Sequence, residues 1–543
     1  MNLMGLSVRM FYQFFEKIGG KFLRPLAIKG FPWKHKPAIF SGLVILGLIL
    51  SQIFPLLPPA NALWAPGPII YGQSLQSPNA GEPLATTPMN APREFRGVWV
   101  ASVANIDWPS KPGLSVDQQK AELLQILNRM QQVNLNALIL QVRPAGDAFY
   151  QSSLEPWSYW LTGTQGKAPD PNYDPLRFAI EESHKRNIEL HAWFNPYRAR
   201  NATNYPLAAN NMARKFPQYA YQYGNLLWMD PGAKEVQDQT YNVIMDVVRR
   251  YDVDGIHIDD YFYPYPESGI SFPDNRTYNA YRDQGGTLSL ADWRRDNVNK
   301  MVQRLWDGIK AEKPFVKFGI SPFGIYRPGT PPGIVGLDQY ESLYADVKLW
   351  LEKGWLDYLA PQLYWRIDPP QQSYPALLNW WLSHNPQRRH IYVGNYLSRL
   401  GDWPLSEFER QVQISRSHAS RLSLGNIFFS MKVLTQNWQG VVERFRSVLY
   451  PTPALVPEMP WLPAKSVSAP TGMRAGFRQL QWDQAADQDI RSWALYEQKD
   501  QGWQMIRLLN ANTTRTWVRP GQYALRAVDR TARQSEPVVI SVR

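Results

Sequence analysis

Between residues 94 and 450, short apolar runs alternate with longer amphipathic stretches eight times. The apolar runs predict strands at Arg96–Ser102, Ala137–Arg143, Glu189–Pro196, Gly255–Tyr261, Lys317–Phe323, Tyr358–Trp365, Ile391–Leu397 and Asn426–Lys432. The amphipathic stretches predict helices at Val116–Val133, Pro175–Arg186, Pro231–Tyr251, Ala291–Lys313, Asp346–Gly354, Tyr374–His384, Ser406–Ser420 and Gln436–Tyr450. Asp174 and Asp230 each precede a proline and are predicted to cap a helix. Eight such units predict an α/β fold, a closed (β/α)8 TIM barrel over residues 94–450.

A different pattern begins after the barrel. Residues 451–464 are rich in proline and predict a linker, and residues 465–543 predict a small all-β sandwich. The short alternating runs of this module lie at Gln479–Trp482, Trp493–Glu497, Trp503–Leu508, Thr514–Val518, Tyr523–Val528 and Val538–Val542. The stretch Gly521–Asp529 resembles the F strand of fibronectin type III domains, with Tyr523 at the tyrosine corner. Such a module is expected to position or bind, not to catalyse.

The N-terminus predicts export. Seven basic residues and one acid precede an apolar run at 38–54, and Ala60-Asn61-Ala62 fits a signal-peptidase site. Residues 1–62 are therefore a signal peptide or, alternatively, an uncleaved signal anchor, and residues 63–93 are a linker. In both cases the rest of the chain is expected in the periplasm or cell envelope, with the membrane touched only through this segment.

Charge and composition narrow the classes of partner. The net charge is +12, of which +6 lies in the N-terminal segment, so the remainder is too weakly basic to indicate nucleic acid. The chain has no cysteine, which excludes thiol catalysis and Cys-ligated zinc. No cofactor is expected, and the oligomeric state stays open.

Candidate chemistry lies at the carboxyl end of the fourth strand, because barrel enzymes place their sites there. Alternation points Ile256 and Ile258 toward the helices and His257 and Asp259 into the barrel, with Asp260 starting the loop. Two adjacent carboxylates would separate each other's pKa values, as acid–base chemistry requires. Asp259 and Asp260 are therefore the predicted catalytic residues.

Cleavage of a glycosidic bond normally uses two carboxyl groups on opposite sides of that bond. Adjacent residues on one strand do not by themselves provide this spacing, so a second carboxylate from another rim loop is an alternative. The candidates are Asp107, Asp147, Glu155, Glu341 and Asp346. Asp346 could instead cap its helix, and Glu155 could be a solvated loop residue.

Polar and aromatic side chains at the other predicted strand ends suit a ligand with many hydroxyl groups. The predicted substrate contacts are Asp107, Trp108, Gln141, Arg143, Asp147, His191, Trp193, Asn195, Arg198, His257, Tyr261, Asp346, Gln362, Tyr364, Trp365 and Asn395. One alternative is that Arg143 or Arg198 only neutralises a rim aspartate. His191, His257 and Asp259 could form a metal site, but no metal-binding spacing supports one and no metal is expected.

Several motifs over residues 94–450 resemble the glycosyl hydrolase-like 10 family. They are Glu94–Ala101, Asn105–Ser110, Gln141–Tyr150, Pro156–Gly163, His191–Arg198, Asp254–Pro264, Tyr344–Asp346 and Pro361–Trp365. The resemblance implies a TIM barrel and, for bacterial members, cleavage of peptidoglycan glycan strands that lack stem peptides. The expected partner is thus a polysaccharide.

The fourth-strand motif is also similar to the D-x-x-D-x-D-x-E signature of chitinase-type hydrolases. His257 replaces the second aspartate of that signature, and Tyr261 replaces its acidic glutamate. The substrate-assisted mechanism of those enzymes therefore does not transfer directly. Two other functions remain open: a non-catalytic wall-binding protein, and a transglycosylase or hydrolase acting on another exopolysaccharide.

Overall fold

The computed structural model describes residues 89–487 and 489–543. The predicted signal or anchor segment, and residues 63–88 of the predicted linker, lie outside the described residues. Within the part of the chain that is described, no helix combines the length and apolarity needed to cross a membrane.

Eight parallel strands close into a barrel in the order of the sequence, which confirms the predicted fold class. They are β1 (Phe95–Val100), β2 (Ala137–Arg143), β3 (Glu189–Phe194), β4 (Gly255–Ile258), β5 (Lys317–Ile320), β6 (Tyr358–Leu359), β7 (His390–Asn395) and β8 (Ser423–Phe428). Each strand pairs with the next one, and β8 pairs with β1.

Helices follow the strands as the amphipathic pattern predicts. They are α1 (Val116–Gln132), α2 (Pro175–His184), α3 (Lys234–Arg250), α4 (Leu290–Glu312), α5 (Val347–Lys353), α6 (Tyr374–Ser383), α7 (Leu405–Ser417) and α8 (Val441–Arg444). The predicted last helix is broken, because Asn437, Gln439 and Gly440 have positive φ and a π turn occupies Phe445–Leu449.

The predicted helix caps have different outcomes. Asp174 caps α2, since its side chain accepts the N–H of Arg177. The prediction for Asp230 was wrong, because α3 begins only at Lys234. Asp230 instead accepts the N–H of Gly232 at 2.8 Å.

Strand alternation divides the core into two layers. Inward-facing side chains such as Phe95, Trp99 and Tyr358 fill the barrel, while Ile256 and Ile258 pack between the strands and the helices. The loops carry additional short helices and, after β3, an antiparallel sheet of Arg198–Arg200, Ala220–Tyr223 and Leu226–Met229. The inward register of β4 therefore agrees with the prediction.

The C-terminal module is all-β, as predicted. Its strands are β9 (Arg474–Gly476), β10 (Gln479–Gln481), β11 (Ile490–Lys499), β12 (Gly502–Asn510), β13 (Arg515–Trp517), β14 (Gly521–Asp529) and β15 (Val538–Val542). A three-stranded sheet β9-β10-β13 and a four-stranded sheet β12-β11-β14-β15 enclose Trp482 and Trp493. The hydroxyl of Tyr523 donates to the carbonyl of Arg519 at 2.9 Å, the hydrogen bond that defines a tyrosine corner.

The C-terminal module contacts the barrel at the end where the barrel strands begin. Asn187, just before β3, donates to the carbonyl of Leu508 at 2.9 Å. Arg491 pairs with Asp252, just before β4, at 2.7 Å. Since the candidate site follows the opposite ends of these strands, the module lies away from it.

Candidate active site

Asp259 is held at the carboxyl end of β4 by donors from β3 and the loop that follows it. Its carboxylate accepts the indole N–H of Trp193 at 3.0 Å and the side-chain amide of Asn195 at 3.2 Å. The residue is 4% exposed. Burial raises the pKa of Asp259, and the nearby charge of Arg198 and these donors oppose the rise.

Asp260 occupies the next position and is 3% exposed. The hydroxyl of Tyr265 hydrogen-bonds to its carboxyl group, and the nearby side chain of Gln362 also favours its ionised form. Burial, and then the charge of Asp259, raise the pKa of Asp260 to about 7. The two carboxyl groups thus differ in their charged neighbours. Arg198 stabilises the ionised form of Asp259, whereas the charge of Asp259 opposes ionisation of Asp260, which favours a proton on Asp260 near neutral pH.

Arg198 supports the Asp259 side of the pair. Its Nε donates to the carbonyl of Pro144 at 2.9 Å, and its guanidinium lies 5.3 Å from the ring centre of Tyr261. The backbone N–H of Arg198 donates to Oδ1 of Asn195 at 2.8 Å. Asn195 therefore links the β3 loop to Asp259 through both ends of its amide.

A chain of polar side chains runs down the barrel beneath the pair. Trp99 Nε1 donates to Nε2 of His257 at 3.1 Å, and Nδ1 of His257 lies 2.9 Å from the hydroxyl of Tyr358. That hydroxyl also lies 2.8 Å from Nδ1 of His191, whose Nε2 lies 3.1 Å from Glu189. Because an indole only donates, we assign the His257 proton to Nδ1. Burial also lowers the pKa of His257 well below its usual range, so this histidine is neutral.

The hydrogen-bonded side chains inside the barrel leave room only for glycine at two neighbouring positions. A Cβ at Gly255 would lie 2.4 Å from the His191 ring, and one at Gly319 would lie 1.9 Å from the Tyr358 ring. His191 and His257 are fully buried. They therefore form the floor of the site, and the predicted substrate contacts for these histidines do not fit their positions.

The segment after β6 forms a half-buried, largely aromatic wall of the site. The amide of Gln362 donates to the carbonyl of Ser321 at 3.0 Å. Tyr364 stacks on Tyr396 with ring centres 4.8 Å apart, and Trp365 packs edge-on against a phenylalanine of the β5 loop at 5.5 Å. These partly exposed rings offer faces on which a sugar can stack.

Arg143 and Glu155 form a structural ion pair. Both side chains have no exposed surface, and Nε of Arg143 donates to Glu155 at 2.7 Å. The remaining guanidinium donors reach the carbonyls of Asn195 and Pro196 at 2.6 and 2.9 Å. Arg143 therefore supports the β3 loop, and neither a substrate contact through Arg143 nor catalysis by Glu155 fits this geometry.

Three further predicted contacts are fully buried and hydrogen-bonded to neighbouring groups. Gln141 is fully buried and its side-chain oxygen accepts backbone N–H groups after β1. Trp108 is fully buried and donates to the carbonyl of Gln119 at 2.9 Å. Asn395 donates to Gln411 of α7 at 2.8 Å, because alternation turns Gly394 inward and Asn395 toward the helices. The predicted substrate contacts of Trp108 and Asn395 do not fit these positions. The contact of Gln141 stays a prediction, because Gln141 has the inward parity of Ile139 and its Nε2 has no hydrogen-bond partner among the described residues.

Two candidate second carboxylates organise loops. Asp107 accepts the N–H of Ala101 at 2.8 Å and that of Lys432 at 2.7 Å, which ties the β1 loop to the β8 loop. Asp147 accepts from the amide of Gln165 at 3.2 Å. Burial raises the pKa of each aspartate to about 6, yet their hydrogen bonds are with neighbouring loop groups.

The remaining candidates for the second carboxylate, Glu341 and Asp346, also have structural partners. Glu341 pairs with Arg295 at 3.1 Å and with Arg327 at 3.2 Å. Asp346 caps α5, since its side chain accepts the N–H of Leu349 at 3.3 Å. Among the acids predicted from sequence, Asp259 and Asp260 are therefore the two that lie side by side at this end of the barrel.

Sequence reasoning missed three partners of the site. Trp99 and Tyr358 occupy inward positions of β1 and β6, so the alternation that selected His257 would also have selected them. Tyr265 follows Asp260 in the aromatic stretch Tyr261–Tyr265, but no periodicity relates its hydroxyl to that carboxyl group.

Across residues 89–487 and 489–543, no group of three His, Asp or Glu side chains is placed to hold a metal ion. His191 and His257 share the Tyr358 hydroxyl, while Asp259 bonds to Trp193. The alternative metal site therefore has no support in this geometry.

A parallel eight-stranded barrel with a buried carboxyl pair and aromatic walls at its strand ends has the groups that glycosidic-bond hydrolysis requires. The chain belongs to the glycosyl hydrolase-like 10 family, whose family model matches residues 94–409. It is 46% identical over 382 residues to glycosyl hydrolase YngK of Bacillus subtilis (strain 168), covering 68% of this chain and 74% of that protein. It is 36% identical over 376 residues to glycosyl hydrolase DigH of Escherichia coli (strain K12), covering 63% and 84%. The predicted family and enzyme class are thereby confirmed.

Solved structures with similar architecture are more distant. The PgaB (BpsB) glycoside hydrolase domain from Bordetella bronchiseptica has a TM-score of 0.44 and 13% identity, with 65% of this chain and 98% of that chain covered. Alpha-L-fucosidase isoenzyme 2 from Paenibacillus thiaminolyticus has a TM-score of 0.41 and 13% identity, and only half of its chain is covered.

Proposed function

We propose that this glycoside hydrolase is exported and cleaves an N-acetylated cell-wall glycan, specifically peptidoglycan strands that lack stem peptides. Support for the substrate comes from the family resemblance of the barrel motifs. Support for export comes from the basic residues, apolar run and A-x-A site of the N-terminal segment. An exported protein of this kind would encounter its glycan substrate in the periplasm or cell envelope.

The observation that carries the chemistry is the unequal environment of the two carboxyl groups. Asp260 has a pKa raised to about 7 and so retains a proton near neutral pH. Asp259 has Trp193, Asn195 and the charge of Arg198 to stabilise its ionised form. Asp260 is therefore the proton donor, and Asp259 is the carboxylate that stabilises positive charge on the sugar.

The step balances with these two residues. As the bond between the anomeric carbon and the glycosidic oxygen breaks, that oxygen takes the proton of Asp260. The positive charge that develops on the sugar ring is stabilised by Asp259. A water molecule then adds to the anomeric carbon, and its proton returns to Asp260. The walls at Gln362, Tyr364 and Trp365 would hold the sugar rings.

The test is digestion of peptidoglycan stripped of stem peptides by the purified full chain, with products read by mass spectrometry. Asp259→Asn and Asp260→Asn should each abolish soluble muro-oligosaccharides. An aryl glycoside with an acidic phenol needs little protonation of its leaving group. It should restore activity to Asp260→Asn but not to Asp259→Asn.

Three outcomes would overturn the proposal. If the wild type binds insoluble glycan but releases no product, the chain is a wall-binding protein. If both variants remain active, the carboxyl pair is not the catalytic centre. If the wild type neither binds the glycan nor releases products, another polymer is the substrate.

A further inference from the structure

An open pocket of about 360 Å³ lies in the loop that follows β3. It is lined by Arg200, Asn204, Tyr205, Pro206, Leu207 and Arg214. The same loop supplies Asn195 and Arg198 to the Asp259 side of the active site. The pocket therefore belongs to the carboxyl end of the barrel, in the loop that also lines the Asp259 side of the site.

The charge of this pocket is unbalanced. Arg200 is half-buried and Arg214 is exposed. Within residues 89–487 and 489–543, no Asp or Glu carboxylate lies at ion-pair distance from either guanidinium. By contrast, the neighbouring Arg143 is paired with Glu155. Two positive charges that share a pocket repel each other, and a bound anion would relieve that repulsion.

A second, independent feature points to a ligand with oxygen atoms. Tyr205 is 4% exposed, and its hydroxyl has no hydrogen-bond partner among the described residues. Its ring is fixed by stacking on Tyr159, with ring centres 4.2 Å apart and planes 1° from parallel. A buried hydroxyl without a partner is costly, so a ligand oxygen that reached it from this pocket would stabilise it.

The pocket lies a short way along the chain from the Asp259 side of the site. Arg200 follows Arg198 by two residues in the short strand Arg198–Arg200, which places their Cα atoms about 7 Å apart. Arg198 in turn lies near Asp259, whose pKa it lowers against the effect of burial. A glycan held at the catalytic pair would thus bring an adjoining sugar toward the pocket.

We propose that this pocket binds the carboxylate of an acidic sugar next to the bond that is cleaved. Guanidinium groups match carboxylates through paired charge-assisted hydrogen bonds, and the Tyr205 hydroxyl supplies a further donor. The identity of the sugar rests on the proposed function. In strands without stem peptides each lactyl carboxylate is free, whereas a stem peptide converts it to a neutral amide. The pocket would therefore select peptide-free strands.

The test compares peptide-free glycan strands with the same strands after their carboxyl groups are amidated with methylamine. The variants are Arg200→Gln, Arg214→Gln and the double variant. Arg282→Gln, an exposed arginine on the helix Asn275–Asp283, is the matched control. The double variant should raise KM for carboxylate strands about 10- to 100-fold, with kcat little changed. Amidation should raise KM of the wild type by a similar factor, and that of the double variant no further.

The pocket assignment fails if the double variant loses the same activity on both substrates, or if its KM does not change. Failure of the proposed function looks different, because the wild type then cleaves neither substrate. In that event, equilibrium binding of N-acetylmuramic acid is compared with binding of its methylamide. Binding of the acid alone, lost in the double variant, supports the pocket, and equal or no binding of the two probes overturns it.

Discussion

Removal of the Asp260 charge should abolish activity yet make the protein more stable at neutral and alkaline pH. Asp260→Asn keeps the shape and hydrogen-bonding capacity of the protonated carboxyl group that the site favours. The wild-type protein must instead either hold a proton or bury a charge beside Asp259. A stabilised but inactive variant is the pattern expected where function depends on an unfavourable charge.

The magnitude follows from the pKa. In the unfolded chain the pKa of Asp260 has its ordinary value of 3.8, and in the folded protein it is about 7. This difference of roughly 3 pH units corresponds to at most about 4 kcal/mol, and we expect about 2–4 kcal/mol because Asp259 shares the effect. The unfolded chain loses its proton first as the pH rises. The penalty is thus absent below pH 3.8, grows between the two pKa values and is complete above pH 7.

Urea unfolding of wild type and Asp260→Asn at pH 5 and pH 8 measures this difference. The variant should gain more stability at pH 8 than at pH 5. An exposed acid on a short helix provides the control, and Asp283→Asn should change stability little at either pH. The same ionisation should appear as a fall in wild-type activity as the pH rises through about 7. An equal gain at both pH values, or no gain, would refute the reasoning.

Three further substitutions test buried contacts that stabilise the barrel. Glu155→Gln leaves the buried arginine it pairs with uncompensated and should cost about 3 kcal/mol; an unchanged Tm would contradict the assignment. Gly319→Ala places a Cβ 1.9 Å from the Tyr358 ring, so circular dichroism should show a lower Tm or little folded protein, and a wild-type melt would count against it. Burial lowers the pKa of His184, but the charge of Asp254 outweighs this and raises it. The stability this pair contributes should disappear as the pH rises through that raised pKa, and the Tm of His184→Gln should lack this pH dependence.

The barrel could be predicted because its periods are local. Alternation in β4 separates Ile256 and Ile258 from His257 and Asp259, and the structure places them in the two expected layers. The same rule, applied to β7, would have turned Asn395 away from the site. Asn395 was predicted as a substrate contact because it ends a strand, without regard to the alternation that turns its side chain toward the helices.

Partners in loops could not be predicted in this way. Arg143 has the residue type and position of a substrate contact, but Glu155, twelve positions later, occupies its guanidinium. The hydroxyl of Tyr265 reaches Asp260 through a turn that has no regular period. Periodicity states which way a side chain points, whereas only the folded loops decide what it meets.

The two ends of β4 show why this difference matters for function. Asp254 and Asp259 bracket the strand, about 16 Å apart along it. Burial alone would raise the pKa of Asp254, but His184 at 2.7 Å and the charge of Arg491 lower it, so this carboxylate stays ionised and supports the packing of the module. At the other end burial, and then the charge of the neighbouring Asp259, raise the pKa of Asp260 to about 7. The sequence shows an acid in each place. The presence or absence of a paired cation separates the acid that stabilises the fold from the acid that can donate a proton.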